Sequence, residues 1–241
     1  MVESIKELEK ICLPDRSVRG RIGEHWITAK FQRKISIRLT WMLLHTPITA
    51  NQASLLGFTV GILGAFLVSS GNYYLTLLAV FMLYLSEWLD SSDGEIARYR
   101  KTAGPKGEML EGIFSPSIIH AAFFAAIAYS AFLATSDPLV FVTSSIGIIF
   151  LVKFDHAKEL AKEYTTKQFH TSPADTIKKA TQSPFAIAKF LGESKHLRNF
   201  LIFAAAVAGA FYWVILIYPF AIALSYLVHS FQFLSSIGKK N

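Results

Sequence analysis

The sequence has almost no cysteine and, over most of its length, no positive charge. Cys12 is the single cysteine in 241 residues, which excludes a disulfide framework and a cysteine-based metal site. No Lys or Arg occurs at positions 39–97, 107–152 or 199–238. With 52% hydrophobic residues and a mean hydropathy of +0.39, the chain is too apolar for a soluble domain of this length. This composition is typical of a helical protein that crosses a membrane several times.

The uncharged stretches predict six transmembrane helices. Each stretch is long enough for one or two crossings at about 20 residues per span. Polar turns near Gly71 and Asp137 divide the first two stretches, and the region of Tyr212 divides the third. The predicted spans lie near Ala53–Ser69, Tyr74–Arg98, Gly107–Ala134, Leu139–Phe154, Arg198–Tyr212 and Val214–Phe233.

The basic residues predict the orientation of these spans. All 24 Lys and Arg residues lie in the N-terminal segment, at positions 98–106, at positions 153–198 and in the C-terminal tail. This placement argues against nucleic acid as a partner, although the net charge is +7. By the positive-inside rule, both termini and an excursion at about residues 155–197 are cytoplasmic.

The segment before the first span mixes cationic and apolar residues. Over residues 26–44 this mixture predicts an amphipathic helix at the membrane interface, with a solvated basic linker as the alternative. The predicted fold class is therefore an all-α integral membrane protein, with six transmembrane helices preceded by an N-terminal interfacial helix. In terms of domains, residues 1–48 form the cytoplasmic and interfacial segment, and residues 49–241 form the transmembrane domain.

The second span ends in acidic residues, which are costly inside a membrane and are usually functional. Because an α-helix advances about 100° per residue, residues spaced by three or four share one stripe of its surface. The residues on this stripe are Asp90, Asp93, Gly94 and Ala97, with Arg98 beside them. The small residues leave the backbone accessible to a flat ligand, and a guanidinium offers forked donors to phosphate.

The third span carries a second set of polar residues. Gly107, Glu111 and Ser115 follow one another at intervals of four and are predicted to share one helical face. A short loop joins the two spans, so the two polar faces can oppose each other near the cytoplasmic boundary. Carboxylates that converge there repel one another unless a cation lies between them, and such oxygen ligands suit Mg²⁺ or Mn²⁺. Pro116 cannot donate a helical hydrogen bond and is predicted to kink this span.

These two sets resemble the signature of the CDP-alcohol phosphotransferase family, Asp-x2-Asp-Gly-x2-Ala-Arg, then Gly-x3-Asp-x3-Asp. The residues that match it are Asp90, Asp93, Gly94, Ala97, Arg98 and Gly107. Glu111 and Ser115 stand at the third and fourth Asp of the signature. Residues 46–52 look like the family's start of the first span, and Glu95 looks like a variant of some inositol-phosphate-type members.

The resemblance implies a membrane transferase of phospholipid biosynthesis. It would move a substituted phosphate group from a CDP-linked lipid or alcohol to a hydroxyl acceptor and release CMP. The implied cofactor is Mg²⁺ or Mn²⁺, with Asp90, Asp93 and Glu111 as its ligands. The implied nucleotide contacts are Gly94, Ala97, Arg98 and Gly107. The resemblance also implies a homodimer, with membrane lipid as a partner. The positive-inside rule places the predicted active-site face toward the cytoplasm.

Ser115 leaves two functional interpretations open. In similar proteins the fourth Asp is regarded as the general base for the acceptor hydroxyl, and a serine hydroxyl is not basic near pH 7. Glu87 lies one turn before Asp90 on the same stripe, and is either a substitute carboxylate or a protonated packing residue. His120 is interpreted as a packing residue. The chain is then either an active transferase or a non-catalytic relative that binds nucleotide or metal without turnover. A cation transporter is disfavoured, because the polar residues lie at one cytoplasmic edge.

Overall fold

The computed structural model describes residues 2–12, 26–169 and 195–238, and the regular structure of these residues is α-helical throughout. The predicted all-α class is therefore confirmed. The helices are α1 (Ile5–Cys12), α2 (Trp26–Leu44), α3 (Ala50–Val68), α4 (Tyr73–Tyr99), α5 (Pro105–Ile113), α6 (Pro116–Thr135), α7 (Leu139–Phe169), α8 (Lys195–Ala208) and α9 (Phe211–Gly238).

Three of these helices are long and apolar enough to cross a membrane, namely α3, α6 and the Phe211–Phe231 part of α9. Leu139–Phe154 of α7 is a shorter apolar stretch. Large apolar side chains on these helices point outward, such as Phe66 and Phe231 with 75% and 70% of their surface exposed. Helices α4 and α8 occupy the positions of the two remaining predicted spans. The structure thus supports a membrane protein, and the count of six spans stays a prediction.

The third predicted span is broken into two helices, which goes beyond the predicted kink. Helix α5 ends at Ile113, and α6 begins at Pro116. Pro116 has no N–H and its ring clashes with the carbonyl of the residue four positions earlier, so the helix cannot continue through it. As the first residue of α6, the proline is well tolerated, because that position needs no helical donor. Gly107 and Glu111 both lie on α5, four residues apart, whereas Ser115 lies between α5 and α6. The expectation of one helical face over all three residues is therefore wrong for Ser115.

The first compact unit comprises Met1–Leu67 and Leu78–Ile119 and contains the whole acidic motif. Its core joins α1, α2, α3 and α4. The buried apolar residues of this core are Leu8, Cys12, Ile37, Leu43, Leu44, Ala53, Leu89 and Ile96. Helices α3 and α4 approach closely: a Cβ added at Gly57 would lie 3.1 Å from the Cβ of Leu89. Glycine at this position lets the two backbones meet, as is common between membrane helices.

Helix α2, Trp26–Leu44, covers the segment in which the sequence predicts an interfacial amphipathic helix. Ser36, Ile37 and Thr40 are each 1% exposed or less, so one face of α2 is buried within the first unit. Phe31 is 65% exposed. Location of this helix at a membrane interface stays a prediction.

The second compact unit comprises Val68–Leu77 and His120–Asn241. Within it α7 packs along α9, where a Cβ added at Gly147 would lie 3.0 Å from the Cβ of Pro219. The turn before α7 is tied to α9, because the Tyr212 hydroxyl donates to Asp137 Oδ2 over 2.7 Å. The division of the chain at residue 49 that the sequence suggests stays a prediction.

Candidate active site

The C-terminal half of α4 presents the predicted acidic stripe at a half-buried surface. Asp90, Asp93, Gly94, Ala97 and Arg98 are all of intermediate exposure, neither in the core nor fully in solvent. A half-buried carboxylate remains accessible to a ligand but is partly shielded from water, which strengthens its electrostatic interactions. The two aspartates are one helical turn apart, as their spacing predicted.

Asp93 is oriented by the neighbouring helix. The Ser54 hydroxyl of α3 donates to Asp93 Oδ2 over 2.5 Å, although 39 positions separate the two residues. This is the length of a charge-assisted O–H···O⁻ hydrogen bond, which is stronger than a neutral one. The contact fixes the direction of the carboxylate. In the sequence, a polar residue within an apolar span was its only signal.

Glu87 lies deeper along α4, one turn before Asp90, and only 4% of its surface is exposed. Burial of a carboxyl group in an apolar helix is costly unless it has polar neighbours or a function. Its position on the stripe agrees with the sequence prediction. The choice between a substitute carboxylate and a packing residue stays a prediction.

Arg98 connects the stripe to α1. Its Nε donates to the carbonyl oxygen of Cys12 over 2.8 Å. Its guanidinium also lies over Gly94, because a Cβ added at this glycine would be 3.2 Å from Nη1 and 3.6 Å from Nη2. Gly94 therefore provides room for the Arg98 guanidinium. The nucleotide clearance that the sequence suggested at this glycine stays a prediction.

Glu95 faces away from the stripe. It is 2% exposed and accepts hydrogen bonds from Ser36 Oγ over 2.8 Å and Thr40 Oγ1 over 2.6 Å, both on α2. On a helical wheel Glu95 lies about 140° from Asp90, so helical spacing alone places the two residues on different faces of α4. Its role is to bind α2 to α4, which the family variant did not indicate.

Arg100 is a residue that sequence reasoning missed. Its Nη1 donates to the carbonyl of Ile48 over 2.6 Å and its Nη2 to the carbonyl of Thr46 over 3.1 Å. The fork therefore binds the segment before α3 to the end of α4. Arg100 lies seven residues after Asp93 and about 20° from it on the helical wheel. This spacing could have assigned Arg100 to the same side of the helix as Asp93.

Ser115 caps the start of α6. Its Oγ accepts a hydrogen bond from the Ser117 amide over 3.3 Å, and its carbonyl oxygen accepts one from the Ile118 amide over 3.0 Å. Serine is a favoured residue at this N-cap position, because its oxygen satisfies an amide that has no partner within the helix. The residue at the family's fourth acidic position thus has a structural task.

The remaining predicted residues lie on α5 and α6. A Cβ added at Gly107 would meet no described atom within 4 Å. The Glu111 side chain lies outside the described part of the structure. His120 is fully buried in the second unit, and its Nε2 is 2.7 Å from Asn199 Oδ1, in agreement with its interpretation as a packing residue.

The donor set is suited to a hard divalent cation. Among the side chains that the structure describes, no three His, Cys, Asp or Glu converge. Of the three predicted ligands, Asp90 and Asp93 have described side chains. Carboxylate oxygens are ligands that Mg²⁺ and Mn²⁺ prefer. Metal-binding carboxylates usually accept a hydrogen bond from a second group, and Ser54 supplies one to Asp93. These two aspartates therefore fit the implied cation.

Comparison with known proteins gives one family and several relatives. Residues 47–217, more than half of the chain, match the CDP-alcohol phosphatidyltransferase family. "Bifunctional IPC transferase and DIPP synthase" of Archaeoglobus fulgidus is 24% identical over 215 residues, which are 88% of this chain and 39% of that protein. The protein of the same name from Thermococcus kodakarensis is 26% identical over 159 residues, 65% of this chain and 34% of that protein.

A relative whose name states a different activity matches as well. "Cholinephosphotransferase 1" of Bos taurus is 29% identical over 143 residues, which are 53% of this chain and 35% of that protein. The chain therefore spans less than half the length of each of these three relatives.

Proposed function

Because the chain belongs to the CDP-alcohol phosphatidyltransferase family, we propose that it is a membrane transferase acting on a CDP-linked lipid or alcohol. The acceptor's hydroxyl oxygen forms a bond to the phosphorus that carries the transferred group, the bond from this phosphorus to CMP breaks, and the hydroxyl proton passes to a base. The observation that supports this proposal is the half-buried stripe of α4, where Ser54 orients Asp93 and Arg98 lies against Gly94.

Each residue of the stripe has a role in this proposal. Asp90, Asp93 and Glu111 hold Mg²⁺ or Mn²⁺, which when bound neutralises charge on the pyrophosphate. The terminal nitrogens of Arg98 donate to phosphate oxygens. The nucleotide approaches the backbone at three small residues, Gly94, Ala97 and Gly107.

The orientation and assembly belong to the same proposal. The segregation of Lys and Arg supports both termini and the acidic stripe on the cytoplasmic face. The substrates then reach the site from the cytoplasm and from the membrane lipid. The reaction belongs to phospholipid biosynthesis. Two copies of the chain form a homodimer.

Nucleotide binding is tested first, because it does not depend on turnover. We expect the purified full chain in detergent to bind CDP or CMP more tightly with Mg²⁺ or Mn²⁺ than without. Asp90→Ala or Asp93→Ala should remove this metal-dependent part, since each takes away a carboxylate ligand. Calorimetry measures both. No binding, or equal binding by wild type and both variants, would refute the proposed site.

The base is tested by CMP release from CDP-linked donors. If Ser115 is the reason for slow turnover, Ser115→Asp should raise the rate by about 10²–10⁴, the contribution of a positioned general base. Aspartate is also a favoured N-cap, so this change keeps α6 capped. If Glu87 is the base, the wild type is active and Glu87→Gln is the damaging change.

A second candidate function has one observation in its favour. Ser115 stands at the family's fourth acidic position, where it offers a hydroxyl in place of a carboxylate. That hydroxyl oxygen accepts a hydrogen bond from the Ser117 amide. The chain would then be a non-catalytic relative that binds nucleotide or metal. Metal-dependent CDP binding without CMP release in wild type, Ser115→Asp and Glu87→Gln would favour this function over the transferase.

A further inference from the structure

Helix α1 forms part of the first unit's core, although it has only eight residues. Helices of this length are marginal on their own and depend on packing. Leu8 is 0% exposed and Cys12 is 1% exposed, so the helix buries one side against the core. At its start the Ser4 amide donates to Glu7 Oε2 over 3.1 Å, which is one of the two hydrogen bonds of a capping box. The Ser4 hydroxyl donates to the same oxygen over 2.7 Å. The sequence therefore favours this helix locally, and packing completes it.

The polar contacts of α1 converge on the motif of α4. The carbonyl oxygen of Cys12 accepts the Nε of Arg98 over 2.8 Å, and the Cys12 Sγ lies 3.5 Å from the carbonyl oxygen of Glu95. The Tyr99 hydroxyl donates to the Glu3 carboxylate. Three contacts near the end of α4, at Glu95, Arg98 and Tyr99, thus depend on residues 3–12.

The contact to Arg98 orients a flexible side chain. A guanidinium carries five N–H donors in a planar fork, and the Nε engages Cys12. This hydrogen bond sets the plane of the fork and directs Nη1 and Nη2 over Gly94. A long arginine loses rotamer freedom when it binds a ligand, and a side chain that is already held loses less.

We propose that α1 is a positioning element of the nucleotide site, in which the Cys12 carbonyl holds Arg98 ready for the phosphates of the nucleotide. This inference rests on the proposed function, because it assigns the terminal nitrogens of Arg98 to phosphate. Docking of α1 and binding of nucleotide then stabilise each other, and such coupling is reciprocal: each event strengthens the other by the same factor.

Cys12 provides a direct measure of α1 docking. It is the single cysteine in the sequence, and it is buried. Burial raises the pKa of its thiol to about 11, with a smaller contribution from Glu95. Since the thiolate is the reactive form, N-ethylmaleimide modifies Cys12 slowly while α1 is docked and faster when it leaves α4.

The experiment compares a matched pair of variants in the purified full chain. Leu8→Asp places a charge in the core and should release α1, whereas Ile11→Asp makes the same change at a residue with 44% of its surface exposed. We expect CDP with Mg²⁺ to slow Cys12 modification of the wild type by about fivefold or more, within the usual range of coupling. Leu8→Asp should speed modification and weaken CDP binding by at least that factor, and Ile11→Asp should do neither.

Arg98→Lys separates orientation from simple burial. It keeps the positive charge but removes both the Nε donor and the terminal nitrogens that the proposal assigns to phosphate, so bound CDP should no longer protect Cys12. If bound CDP leaves the rate of Cys12 modification in the wild type unchanged, the coupling is overturned without any variant. Normal CDP affinity in Leu8→Asp with fast modification would also overturn it, while the proposed function stands. If the wild type binds no CDP at all, the proposed function fails and the coupling fails with it.

Discussion

Replacing Ser54 by alanine is expected to weaken divalent-cation binding while the fold stays intact. The Ser54 hydroxyl donates to Asp93 Oδ2 over 2.5 Å, between α3 and α4. Loss of a hydrogen bond that orients a metal ligand usually lowers metal affinity about 10–100-fold. This corresponds to about 1.4–2.7 kcal/mol, which agrees with about 1.5–3 kcal/mol for a hydrogen bond to a charged group.

The measurement is a calorimetric titration of the full chain with Mn²⁺, in detergent and at saturating CDP. Ser54→Thr keeps a hydroxyl and should retain most of the affinity. Thr59→Ala is the matched control, because the Thr59 hydroxyl donates within its own helix, to the Leu55 carbonyl over 2.8 Å. Wild-type Mn²⁺ affinity in Ser54→Ala would refute the idea that this hydroxyl orients a metal ligand.

Two further predictions concern packing and topology. Gly61→Ala should lower the thermal unfolding midpoint in detergent, because the added Cβ would lie 2.7 Å from Ile119 Cγ2. Such overpacking costs about 1–3 kcal/mol. The control is Gly112→Ala, whose Cβ would meet no described atom within 4 Å and which should leave the midpoint nearly unchanged. After removal of the native cysteine, an impermeant thiol reagent should label Asn72→Cys and spare Lys167→Cys in intact cells. The reverse labelling pattern would overturn the orientation.

The stripe of α4 was predictable because it depends on helical spacing alone. The interval of three between Asp90 and Asp93 places both carboxylates on one side of any α-helix, whatever packs against it. The positions of the long helices were predictable for a similar reason, since apolar length sets them.

Tertiary partners were not predictable in the same way. Nothing in the spacing of α4 says that Ser36 and Thr40 pack beside Glu95, or that Arg100 meets the carbonyls of residues 46 and 48. These contacts depend on which helices become neighbours. Pro116 did indicate a disturbance of the third span, but the complete break there also depends on the N-cap at Ser115.

The two polar anchors of α4 have a consequence for changes in chain length. Asp93 is bound to α3 through Ser54, and Glu95 is bound to α2 through Ser36 and Thr40. Deleting or inserting one residue between them would rotate one anchor by about 100° relative to the other, so both could not be satisfied together. Substitutions of α4 residues other than the anchors leave this register unchanged. Helix α4 should therefore keep its packing through such substitutions but tolerate no change in the number of residues between its anchors.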